Sequence, residues 1–272
     1  MDNREKEKTG GRIDFYDIGV NAFSRQFRDP GEIIRKSREA GVACIVTGSS
    51  AADDVLVDGF VGNAGCWGTA GIHPHNASRA AEHDYTKIRE ILMGNPRVVA
   101  AGECGLDYDR MFSGTEDQKE CLRRQMDIAE ELGVPMFLHM RDADDDFIRM
   151  FKDRRELASR SVVHCFTGGR ETVLRLLELG FSIGVTGWIC DDRRAEPLRR
   201  AVPEIPLDRI MIETDSPYLV PRGVPGLGHV NYPWNIRYVC DALAGYMKVE
   251  RTDLMKSARQ NTEKLFGLAE RK

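Results

Sequence analysis

The chain has 272 residues, 42% hydrophobic and 30% charged, with a formal net charge of −4, enough to bury a full core as one α/β barrel or two smaller domains. That charge excludes a global attraction to polyanions, so any contact with nucleic acid or phosphate has to come from a local basic patch. No run approaches the roughly 18 apolar residues of a membrane span, and the opening MDNREKEKTGGR is too charged to read as a secretory signal.

Residues 1–12 read as a solvated tail and 13–272 as one domain. Seven cysteines form no CxxC pair and lie within or beside apolar runs. They read as buried, reduced thiols, which points to the cytoplasm, or to the nucleus of a eukaryote.

Strand-like runs follow at 13–18, 42–47, 67–72, 97–102, 135–139, 161–164, 181–186 and 209–213. Helix-period stretches separate them: Ile33, Ile34, Ser37 and Ala40; Val55, Leu56 and Phe60; Ile88, Ile91 and Leu92; and Leu122, Met126, Ala129 and Leu132. The alternation continues through Phe147, Ile148 and Phe151, then Val173, Leu174 and Leu177, then Leu198 and Val202. A final helical pair passes through Val239 and Leu243, then Leu254 and Ala258. Asp29-Pro30 reads as an N-cap with proline at the first helical position, Thr115-x-x-Gln118 as a capping box, and Gly41, Gly133 and Gly180 as C-terminal caps. Eight βα units without a linker predict one closed (β/α)8 barrel, with a doubly wound open sheet as the competing arrangement. The proline- and glycine-rich stretch 216–233 predicts a long loop over the site after the eighth strand.

Four residues able to bind a metal close successive strands: Glu103, His139, His164 and Asp215. In a parallel α/β fold those positions share the rim where such folds carry their chemistry. Two imidazoles and two carboxylates make a nitrogen and oxygen site suited to Zn, Mn, Fe or, less naturally, Mg. Asp215 can also act as a base, Glu213 can orient a ligand, and His73 and His75 stand two apart on a turn. Arg110, Arg141, Arg170, Arg193, Arg194 and Arg222 fall at the same predicted rim, where they would supply the positive field the chain otherwise lacks. Phe112, Trp188 and Tyr218 lie among them and can stack on bases.

Seven ordered motifs carry a resemblance: DIGVN (17–21), GIHPH (71–75), GECGLDY (102–108), HMRDA (139–143), HCFTG (164–168), TGWICDDRR (186–194) and IETDSPYL (212–219). From Asp17 to Phe266 the chain resembles the TatD-type deoxyribonucleases. The resemblance implies a barrel hydrolase that acts as a magnesium-dependent 3′-to-5′ exonuclease on single-stranded DNA. It implies Glu103, His139, His164 and Asp215 as metal residues, Asp215 with Glu103 as catalytic groups, and His73 and His75 near the substrate phosphate. In many relatives the first strand carries an HxH pair where this chain has Gly19 and Asn21, which implies a second ion held weakly or only with substrate. The expected reaction is in-line attack of water on phosphorus, assisted by Mg or else Mn or Zn, with Asp215 taking the proton and Arg110, Arg141, Arg193 and Arg222 binding phosphates. The same chemistry would cleave a carboxylic ester, a lactone or an aminoacyl-tRNA link, and a metal-stabilised scaffold without turnover is the alternative of a different class. DNA is the expected partner, with no membrane and no obligate protein partner.

Overall fold

Each of the eight apolar runs forms a strand in the computed structural model, which describes residues 12–268. β1 (Phe15–Val20), β2 (Val42–Val46), β3 (Trp67–Ala70), β4 (Val98–Asp107), β5 (Met136–Arg141), β6 (Val162–Val163), β7 (Ser182–Val185) and β8 (Ile210–Ile212) lie in chain order. Every neighbour pair is parallel. The ends of this sheet meet at a polar seam. Val20 bridges Ser216, and the Asn21 N–H donates to the Ser216 carbonyl at 2.8 Å. Below that bridge the buried Asp17 carboxylate accepts the Thr214 N–H at 2.8 Å and the Thr214 hydroxyl. The arrangement is therefore a (β/α)8 barrel, and the open sheet is excluded. Of the expected tail over 1–12, all but Arg12 lies outside the described residues.

The helices are α1 (Pro30–Glu39), α2 (Ala51–Ala64), α3 (Glu82–Gly94), α4 (Thr115–Leu132), α5 (Asp144–Phe151), α6 (Arg155–Ser159), α7 (Arg170–Leu179), α8 (Glu196–Ala201), α9 (Ile236–Met247) and α10 (Arg251–Leu265). Alternation along the strands splits the core in two. Met136, Leu138 and Met140 of β5 join the large cluster shared with the helices, whereas Phe137 joins Ile18, Ile45, Val162 and Met211 in a smaller cluster inside the barrel. Phe137 also lies under the site, its ring centroid 4.3 Å from that of His164. Truncating so buried a phenylalanine to alanine costs about 3–5 kcal/mol.

Asp29 caps α1 by accepting the Gly31 and Glu32 N–H groups at 2.8 and 3.2 Å, with Pro30 in first place. Gly133 and Gly180 close α4 and α7 with φ of 66° and 99°, and Gly41, two positions past the end of α1 and next to its cap Ala40, has φ 77°.

Two local expectations fail. Thr115 is the first residue of α4 rather than its cap, and Gln118 makes no capping box. Its buried amide instead donates to the Asp107 and Ser113 carbonyls and accepts the Asp107 N–H. In α2, Val55 and Leu56 are exposed while Asp54, Val57 and Val61 are buried. The Asp54 carboxylate accepts the Gly71 N–H at 3.1 Å and thereby turns that face toward β3.

The stretch 216–233 is a long loop, as its composition predicts, pinned by the buried Asn231, which donates to the carbonyls of Thr214 and Leu219.

Candidate active site and metal centre

The site begins with how closely β4 runs against β5. Gly102 and Gly105 have φ of 135° and 148°, and a Cβ on either would strike a β5 carbonyl oxygen, that of Phe137 or of His139. Glycine on both sides therefore brings Glu103 up to the β5 strand end.

Three imidazole nitrogens meet one carboxylate oxygen there. Glu103 Oε1 lies 2.9 Å from His164 Nε2, 3.1 Å from His139 Nδ1 and 3.2 Å from His73 Nε2. His73, Glu103 and His139 have ligand atoms within 4.8 Å of one another and could hold a metal ion.

The far nitrogens also have partners. His164 Nδ1 lies 3.2 Å from Glu213 Oε2, and His139 Nε2 lies 3.1 Å from Asp107 Oδ2, which also sits 2.9 Å from His75 Nε2. His73 Nδ1 accepts the His75 N–H at 3.1 Å. Asp215, at φ 53° and partly buried just past the end of β8, accepts the Asn21 amide N–H at 2.8 Å through Oδ1. All of these except Glu213 line one cleft of about 610 Å³, together with Arg110, Arg141, Phe112, Trp188 and Tyr218.

Burial and charge oppose each other at Glu103, His164, His139 and His73. Burial alone would raise Glu103, but His164 and His73 outweigh it and hold its carboxyl well below the usual range. Burial would lower His164, yet the Glu103 and Glu213 carboxylates lift it well above an ordinary histidine. His139 is raised in the same way, against burial, by Asp107 and Glu103. His73 is lowered, because burial there exceeds the pull of Glu103. Burial pushes Asp215 up to about 7, with His164 opposing and repulsion from Glu103 and Glu213 adding to it. Four carboxylates in so small a volume call for a cation.

The sequence model of the TatD related DNase family matches residues 16–267. The chain belongs to that family. It is 40% identical over 262 residues to the 3′-5′ ssDNA/RNA exonuclease TatD of Klebsiella pneumoniae (strain 342), a match covering 93% of this chain and 98% of the relative. The protein of the same name from Rahnella sp. (strain Y9602) is 39% identical, with 94% and 100% covered. Among solved structures, the TatD homolog YJJV from Escherichia coli K12 superposes with a TM-score of 0.85 at 26% identity, covering 94% of this chain and 98% of that one. A TatD family hydrolase from Entamoeba histolytica, at 22% identity and a TM-score of 0.82, shares the fold.

Within this TatD chain the residues singled out by sequence fall into three groups. Glu103, His139, His164, Asp215, His73 and His75 line the cleft. Arg110 and Arg141 line its rim, each beside Asp109 at 3.6 and 3.2 Å. Arg193 and Arg222 lie apart from that cleft, both against Asp191, and Arg170 pairs with Glu204 at 2.6 Å on the helical layer.

Asp107 escaped the sequence reading, although it ends β4 at an even spacing from Glu103 and joins His75 to His139. Gly19 has a steric reason: a Cβ there would collide with Glu213 Oε2. Neither Gly19 nor Asn21, which donates to Asp215, presents an imidazole at the seam.

Proposed function

We propose that this TatD-family chain is a metal-dependent deoxyribonuclease that removes nucleotides from the 3′ end of single-stranded DNA. The observation that carries the reading is the convergence of three imidazoles on Glu103 Oε1, at 2.9–3.2 Å, in a cleft that also holds Asp215, Arg110 and Arg141. The names of the relatives, 3′-5′ ssDNA/RNA exonucleases, support the strand type and polarity.

The donor set fits a divalent ion. Glu103, His139, His164 and Asp215 would hold it, with Glu213 behind His164 and Asp107 behind His139 in the carboxylate–imidazole pairing that orients metal-binding histidines. His73 is a poorer ligand. Its Nδ1 accepts a hydrogen bond, so in the neutral ring Nε2 carries the proton and donates. When bound, the ion supplies Lewis acidity and positive charge to a phosphodiester. We assign magnesium as the activating ion, with manganese and zinc as substitutes favoured by the imidazoles.

The chain's own groups then divide the work. Asp215 Oδ1 is engaged by Asn21, which leaves Oδ2 to take a proton from the attacking water. Glu103 fixes the three imidazoles about one point. His73 and His75 approach a non-bridging phosphate oxygen, and Arg110 and Arg141 neutralise the charge that develops on the equatorial oxygens. Arg193 and Arg222 contact phosphates further along the strand.

The described residues from Ile13 to Leu268 act as one catalytic domain. We place the enzyme in the cytoplasm on its seven free cysteines. No helix among the described residues is long and apolar enough to cross a membrane.

The test is a 5′-labelled single-stranded oligonucleotide incubated under a panel of divalent metals, with product lengths followed over time. A ladder shortening from the 3′ end, abolished by EDTA and restored by magnesium, is expected. Cleavage of carboxylic esters alone, or shortening that EDTA leaves untouched, overturns the reading.

A further inference from the structure

The loops after β7 and β8 enclose a second cleft of about 540 Å³, within the roughly 300–1,000 Å³ span of small-ligand sites. It shares Trp188, Tyr218 and Leu219 with the catalytic cleft, so the two are contiguous across one wall. Trp188 carries a guanidinium group from each: Arg141 of the catalytic cleft has Cζ 5.7 Å from the ring centroid, and Arg194 of the second cleft has Cζ at 4.0 Å.

The second cleft is built around Asp191, whose side chain is only 4% exposed. Its carboxylate accepts Arg193 Nε and Nη2 at 2.9 and 2.8 Å and Arg194 Nε and Nη2 at 3.1 and 3.0 Å. Arg222 Nε lies 3.2 Å from the same carboxylate. Three guanidinium groups thus share one carboxylate, and none of them has another acidic partner among the described residues. Two arginines of the helical layer show the reverse balance. Arg123 lies between Glu120 and Asp127, and Arg154 between Asp127 and Glu130. The excess of two positive charges stands beside the catalytic cleft, and Nη1 of all three arginines makes no hydrogen bond among the described residues. Fixed, forked and partly unused donors of this kind match phosphate oxygens.

We propose that this second cleft is a subsite for the nucleotide next to the scissile phosphodiester, its phosphate held by Arg194 and Arg222 on the Asp191 scaffold, with Trp188 dividing the two positions. The proposal rests on the nuclease reading above and adds a second point of grip. A dinucleotide has a single phosphodiester, which occupies the first cleft, so only a longer strand brings a second phosphate to Arg194 and Arg222 and gains affinity from them.

Full-length parent and an Arg194→Ala/Arg222→Ala double variant are compared by fluorescence anisotropy on labelled dT2 and dT8, in EDTA so that nothing is cleaved. For dT8 the variant is expected to bind about tenfold more weakly, with a salt slope shallower by one to two. For dT2 a change below about twofold is expected. An Arg194→Lys/Arg222→Lys variant keeps the charge without the fork and should recover part of the loss.

Equal weakening on both lengths, or parent-like binding of dT8, overturns the subsite. Competition by inorganic phosphate or mononucleotide that abolishes the dT8 advantage in the parent but not in the variant supports it. In steady state with magnesium, the ratio of kcat/KM for dT8 to that for dT2 should fall about tenfold in the variant. If the parent cleaves neither length yet the dT8-specific binding loss persists, the nuclease reading falls, and with it the subsite's place beside a scissile bond, while the second cleft stands as a strand-binding site.

Discussion

On the inner side of the mouth, around Glu103, the polar side chains stand at or just beyond the ends of β3 to β6, joined by Glu213 and Asp215 past β8; they are largely buried, and both ring nitrogens of His73, His139 and His164 are engaged. On the outer side the polar groups are arginines: Arg193, Arg194 and Arg222 in the loops after β7 and β8, about half exposed and gathered on one carboxylate with donors to spare, and Arg141 at the rim, about a third exposed. Side chains on strands keep a reacting centre in place to a fraction of an ångström, whereas loop side chains can follow a flexible polymer. Changes on the first side should therefore remove chemistry or metal, and changes on the second should remove affinity.

The sharpest test of that division is Asp215→Asn. The amide keeps the shape and cannot take the proton, so kcat should fall about 10³-fold with little change in melting temperature. A rate within tenfold of the parent would remove Asp215 as the base. Next come Glu103→Ala and His164→Ala, for which metal per chain by elemental analysis should drop along with the rate, by about 100-fold or more. Full occupancy in either variant would contradict its place among the ligands.

Glu213→Gln should act at one remove. It leaves His164 present but weakly oriented, and about 10- to 100-fold lower metal affinity is expected by calorimetric titration. Unchanged affinity would reduce Glu213 to a packing group. The smallest effect belongs to Arg141→Ala on the rim, where KM for single-stranded DNA should rise about fivefold and the salt slope should become shallower by about one. If Arg141→Ala instead lowers kcat as severely as Asp215→Asn, the separation of chemistry from grip collapses.

Most of the strand layout was legible because each buried parallel strand is a short apolar run and each run is followed by a helix-period stretch. The strand starts at Val42 and Trp67 coincide with the predicted ones, while β4 runs on to Asp107 because Gly102, Glu103 and Gly105 interrupt its apolar pattern without ending its pairing to β5. Gln118 shows why short motifs mislead. The same residue type serves a helix cap or a buried backbone bridge, and only the position of Asp107 decides between them. At the site, strand-end placement pointed to Glu103, His139, His164 and Asp215. The sorting of the arginines was not readable, because Arg141, Arg170 and Arg222 look alike in sequence and differ in which carboxylate the fold sets beside them.

The seam between β1 and β8 has a dynamic consequence. There the barrel is joined by a single backbone bridge, the Asn21–Ser216 hydrogen bond and the clasp of Asp17 on Thr214, rather than by a full ladder of backbone hydrogen bonds. Such a joint opens at a lower free energy than a ladder, since few hydrogen bonds must break together. The amides of Asn21 and Thr214 should thus exchange with solvent as one unit, ahead of those in β4 and β5. Asn21 and Asp215 sit directly on that joint, so each opening also moves the amide–carboxylate pair that holds Asp215, the proposed base, in place. The weakest closure of the cylinder is the part the proposed chemistry leans on.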